Sequence, residues 1–186
     1  MASGCGLLLA GATVPGCTGR FDWREAHLPG DEIRMLLPAR STTLTRRIHL
    51  RAEAVEMTMV GADADDLAFT VAVARSGGDS PAVGQGSAAD RLASMREQML
   101  RNIAAPVDTP PRRPQPIPVI DGAGRSKGAR DAVAVDARGT GAHAAVRLQG
   151  RFFTARGLAA QAVVIGRAFD DEAARRFFES LRIVEP

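Results

Sequence analysis

The sequence predicts an α+β domain: an antiparallel β-sheet of about six to eight strands with helices packed on its faces. Three observations lead there. Several segments alternate apolar and polar residues with period two, short turn signals separate them, and two stretches switch to helical spacing behind polar caps.

In chain order, Ile33, Met35 and Leu37 open the alternation, and Arg46, Ile48 and Leu50 share one strand face. Val55, Met57 and Met59 follow, then Leu67, Phe69, Val71 and Val73. The turn signals between them are Pro29-Gly30-Asp31, Pro38 and the stretch Gly61 to Asp66. Connections this short imply antiparallel neighbours. After a Gly/Ser/Pro loop from Gly77 to Gly86, Ser87 and Asp90 have capping-box spacing. Leu92, Met95, Met99 and Ile103 then form the apolar stripe of a helix, with Arg91, Arg96, Glu97 and Arg101 expected outside it. The prolines between Pro106 and Pro118, followed by Gly122 to Gly128, predict a long Pro-rich loop over 104–129. Strands are expected again at Ala132 to Val135, through Ala144 to Phe152, and at Ala160 to Ile165. Asp170 is the expected N-cap of a second helix whose Ala174, Phe177, Phe178 and Leu181 face inward.

The chain has 186 residues, enough for one domain of this kind at 21–186. Hydrophobic residues at 45%, charged residues at 24% and a mean hydropathy of -0.07 fit a packed globule rather than a disordered chain. Lys+Arg number 24 against 21 Asp+Glu, and the arginines are interleaved with acids, which argues against nucleic acid as a partner. Aromatics at 4%, with no Tyr, exclude a stacking platform for bases.

The N-terminus carries the most specific signal. No charged side chain precedes Arg20, and Gly6 to Val14 is apolar or small, too short to span a bilayer but long enough for the apolar region of a signal peptide. It ends in Val14-Pro15-Gly16-Cys17, which resembles the lipobox of bacterial lipoproteins, with Pro15 in place of the usual small residue. That resemblance implies a signal peptide at 1–16, cleavage before Cys17, diacylglyceryl modification of its thiol, and a lipid-anchored N-terminus at 17–20. Ala2-Ser3-Gly4-Cys5 is a second lipobox-like run, which makes Cys5 the second choice for lipid attachment. The leader lacks the usual Lys or Arg near its start, a departure that either an upstream start codon or an inefficient leader would explain. Thr18, in a position where Asp would favour retention at the inner membrane, implies the periplasmic side of the outer membrane.

Phe21-Asp22-Trp23-Arg24, the strand from Ile33 to Leu37 stopped by Pro38, and the closing Phe177-Phe-Glu-Ser180-Leu-Arg-Ile183 are similar to uncharacterised envelope lipoproteins of proteobacteria. The resemblance implies a PsbP-like sandwich. Its motifs are structural and imply no catalytic residue.

Chemistry is sparse in the sequence. His27, His49 and His143 lie in different elements without zinc spacing, and no metal site or cofactor is implied. The run Asp63 to Asp66 lacks the Gly and the closing Glu of a calcium loop, and Gly122 to Gly128 lacks the residue order of a P-loop. Pro110 to Pro116 is a rigid basic segment in which Arg112, Arg113 and Pro114 are the candidate contacts for an envelope protein partner. The expectation is therefore a lipid-anchored, non-catalytic domain that binds a protein or a small apolar ligand. The alternative is a soluble enzyme or small-ligand-binding protein whose site assembles from sequence-distant residues, around His143 or the Pro-rich loop.

Overall fold

The computed structural model describes residues 20–51, 53–76, 87–141 and 144–186. These form ten strands: β1 (Arg24–His27), β2 (Ile33–Leu37), β3 (Thr42–Leu50), β4 (Glu53–Ala64), β5 (Leu67–Ser76), β6 (Arg112–Ile120), β7 (Ser126–Thr140), β8 (Ala145–Ala155), β9 (Leu158–Gly166) and β10 (Arg182–Val184). Two helices join them, α1 (Ala88–Asn102) and α2 (Asp171–Ser180). The strands make a single sheet in the order β1-β2-β10-β6-β7-β8-β9-β5-β4-β3. Every pairing is antiparallel except that of β10 with β6.

The expected α+β sandwich of six to eight strands, PsbP-like in outline, is overturned. The described chain is mostly β, and its sheet curls into a half-barrel. The curl follows from contacts across the sheet. Trp23, beside β1, meets Phe69 of β5 edge-on at 6.0 Å between ring centres, and Arg75 of β5 pairs with Glu32 ahead of β2. In a flat sheet β2 and β5 would stand six spacings apart, roughly 29 Å. The concave side is filled by Ile33, Met35 and Leu37 of β2, Phe69, Val71 and Val73 of β5, and Phe177 and Phe178 of α2.

A second correction concerns the expected Pro-rich loop at 104–129, most of which is the hairpin β6–β7. Pro114, Pro116 and Pro118 recur with period two. Alternate residues of a strand point their N–H groups to the same edge, so the missing donors of Pro116 and Pro118 fall on one side, while Pro114 lies within a register irregularity. The other side pairs with β7, with a register irregularity between Arg112 and Gln115. β10 reaches only Val119 and Ile120, so among the described residues the first half of β6 has no strand neighbour on its outer edge, where proline is tolerated. The hairpin turn is short: the Asp121 side chain accepts from the backbone N–H groups of Ala123 and Arg125, both at 2.9 Å, and Gly124 takes φ +83. These bonds hold the Asp121 carboxyl below its ordinary range.

Both helix starts follow the caps in the sequence. Ser87 Oγ accepts from Asp90 N at 3.1 Å while Asp90 accepts from Ser87 N at 3.0 Å, and Asp170 accepts from Ala173 N at 2.9 Å. Arg91 is not outside the α1 stripe as expected. It is buried and reaches Glu53 at 2.6 Å and Ser76 Oγ at 2.8 Å, tying α1 to β4 and β5. Ser180 fastens α2 to β2, accepting from Leu36 N at 2.8 Å and donating to Phe177 O at 2.6 Å.

Candidate functional site

On β5 the face turned toward α1 carries smaller side chains than the concave face. Along Val71-Ala72-Val73-Ala74 the valines point to the concave core and the alanines toward α1. The register lines these alanines up with their neighbours: Met57 pairs with Ala74 and Ala74 with Ala159, while Met59 pairs with Ala72 and Ala72 with Gln161. Small side chains on the central strands under a helix leave a hollow. It is a groove of about 320 Å³, walled by Ile48 and Leu50 of β3, Met57 and Met59 of β4, and Met95 and Met99 of α1. Arg46, His49, Gln98 and Asn102 border it, and Gln161 of β9 reaches it from the sheet.

Four of the chain's six methionines line this groove. Unbranched, polarisable side chains adapt to varied apolar shapes. Gln98 and Asn102 hydrogen-bond each other at 2.9 Å across one helical turn, whereas Arg46 forms no ion pair among the described residues. Gln161 is buried, and its Oε1 has no hydrogen-bond partner among the described residues.

The residues singled out from sequence lie elsewhere. Cys17 and Cys5 fall outside the described residues, as does His143. Arg112 is already paired, at 3.0 Å from Asp136, which also takes Arg147 at 2.7 Å. The carboxyl of Asp136 is held below its ordinary range chiefly by the Arg147 hydrogen bond, against the opposing effect of burial. Arg113 is exposed. Pro114 borders a shallow surface groove of about 570 Å³ with Pro116, Pro118, Arg151 and Phe178. There the Arg151 guanidinium lies 4.6 Å from the centre of the Phe178 ring, and burial lowers its pKa. His27 and His49 sit on β1 and β3, and among the described residues no cluster of three His, Cys, Asp or Glu is placed to hold a metal. Among the described residues, no helix is long and apolar enough to cross a membrane.

Sequence reading missed the groove. Met57, Met59, Met95 and Met99 were legible as apolar strand and helix positions, but their convergence depends on strand pairing. Gln161 did leave a signal: it is the lone amide in Ala159-Ala-Gln161-Ala-Val-Val-Ile165, an otherwise apolar strand. Compared with known proteins, the chain matches no family model and no curated sequence.

Proposed function

We propose that the chain is an envelope lipoprotein, anchored through Cys17 on the periplasmic side of the outer membrane, whose half-barrel is a non-catalytic binding domain for a small apolar ligand. The observation that carries the binding role is the methionine-lined groove between α1 and β3–β4. Its volume falls in the range of small-molecule sites, about 300–1,000 Å³, and its apolar walls with a few polar groups match their composition. The anchor is supported by the lipobox-like junction Val14 to Cys17. One acyl chain gives marginal membrane binding and two or more give a stable tether.

A second surface supports the protein-partner role of Pro114: the proline-lined groove of β6 beside Arg151 and Phe178. Proline-rich extended segments are docking elements because little conformational freedom is lost when they bind.

Two measurements test the proposal. Cells fed an alkyne fatty acid should label the wild-type protein and Cys5→Ser but not Cys17→Ser; label that persists on Cys17→Ser removes the anchor assignment. An environment-sensitive apolar fluorophore should bind the protein and be excluded by Met99→Trp, which fills the groove. Equal binding to that variant places the ligand elsewhere.

A further inference from the structure

We infer that the ligand of the groove is a single-chain acyl amide that enters head first and pairs its uncharged head with the Gln161 carboxamide. The inference rests on the groove being a ligand site and adds the chemistry of its occupant.

Gln161 is only 6% exposed, and its Oε1 is buried without a partner among the described residues. Its neighbours across the strands are Ala72 of β5 and Phe152 of β8, neither of which offers a side-chain hydrogen bond. The other glutamines among the described residues behave differently, although all are more exposed. Gln98 donates to Asn102 at 2.9 Å, Gln115 accepts from Arg151 at 2.6 Å, and Gln149 donates to Asp136 at 3.2 Å. The most deeply buried carboxamide is thus the one left unpaired, at the place where the groove meets the sheet. Buried polar groups are nearly always satisfied, and an exception calls for an explanation. A ligand that supplies the missing partner is one.

The chemistry of the partner follows from that of the carboxamide, which carries an acceptor oxygen and a donor nitrogen on one plane. A half-turn about the last side-chain torsion exchanges them, so the group can present either to the groove. A ligand amide offers both complements at once. A carboxylate offers acceptors only and would bring a charge against the apolar walls of Met57, Met59 and Met95. The cation bordering the groove, Arg46, lies on β3, three strand spacings from β9, roughly 14 Å in the plane of the sheet. An acid would therefore bind the other way round, head outward. The volume sets the length: 320 Å³ is about twice the ~150 Å³ cavity that accepts benzene, enough for about a dozen non-hydrogen atoms. Decanamide is of that size.

The test uses the full-length chain carrying Cys17→Ser, so that no detergent competes for apolar sites. Decanamide, decanoate and N,N-dimethyloctanamide, which keeps the carbonyl but has no N–H, are titrated against the bound apolar fluorophore. Decanamide is expected to displace it about tenfold better than either, the equivalent of one well-made hydrogen bond. In Gln161→Met that preference should be lost, each displacement being referred to the variant's own affinity for the fluorophore. The inference is overturned if decanoate is the strongest ligand and Arg46→Ala abolishes its advantage, or if Gln161→Met keeps the amide preference; either outcome leaves the groove as the binding site. A protein that binds no fluorophore at all overturns the groove assignment and the inference together. The amide-to-acid ratio of the chain with Gln161 intact stands as a test even if the Met variant does not fold.

Discussion

Replacing Gln161 with Met should make this protein more stable, which is unusual for a substitution in a buried layer. Met has nearly the length and the unbranched shape of Gln and carries no amide, so the strand packing under α1 is preserved. What disappears is a buried amide oxygen with no partner among the described residues, a penalty of about 1–3 kcal/mol. Some of that gain is offset by imperfect fit of the thioether, so the expected rise in unfolding free energy is about 1–2 kcal/mol. For a domain of this size each kcal/mol moves the melting temperature by about 2–4 °C, which predicts an increase of about 2–8 °C. Urea unfolding followed by circular dichroism is the assay, with an unchanged m-value showing that the two unfolded states are equally exposed. Gln149→Met is the internal control. Gln149 donates to Asp136 and Asp171, so its loss should lower stability. If Gln161→Met is the less stable of the two variants, the carboxamide has a partner in the folded protein and its reservation for a ligand is wrong.

Three further outcomes are expected. Gly139→Ala would drive a Cβ into the carbonyl oxygen of Ile103 at the end of α1; backbone on both sides leaves little room to yield, and a loss of about 3 kcal/mol should appear as a lower urea midpoint. Asp136 has a folded pKa below its unfolded value near 3.9, so its stabilising contribution is complete above about pH 4 and drains away as acid protonates it in the fold. Asp136→Asn should therefore be less stable at neutral pH, and its unfolding free energy should fall less steeply between about pH 4 and 2 than that of the parent. Changing Pro116 and Pro118 together to Ala would restore N–H donors along the outer edge of β6, and light scattering should detect association that the parent lacks.

Features settled within a few residues were readable in the sequence. The caps at Ser87 and Asp170 depend on side chains reaching N–H groups three positions away, and both were placed correctly. The alternation at Ile33 to Leu37 and Leu67 to Val73 reports one buried face and needs no knowledge of the partner strand. The β6 hairpin is hidden because the number of prolines predicts a loop whereas their spacing decides the outcome: prolines two residues apart disable one edge of a strand and leave the other intact. Arg91 was assigned to solvent because its fate depends on Glu53, which strand pairing brings to it from far along the chain. The groove was invisible for the same reason. Nothing local places Met57 and Met59 two strands from β9, and only the register shows that alanines separate the methionines from Gln161.

The three-residue strand β10 is where the half-barrel is joined. On one side Ile183 meets Ile33 of β2, and on the other it meets Val119 of β6. The β1–β2 arm, with Trp23 and Met35 on it, has no other strand to rest on in that direction. Residues 182–184 thus act as a clasp between stretches of chain made at quite different times, and the aromatic interior cannot be sealed until all of them are present together.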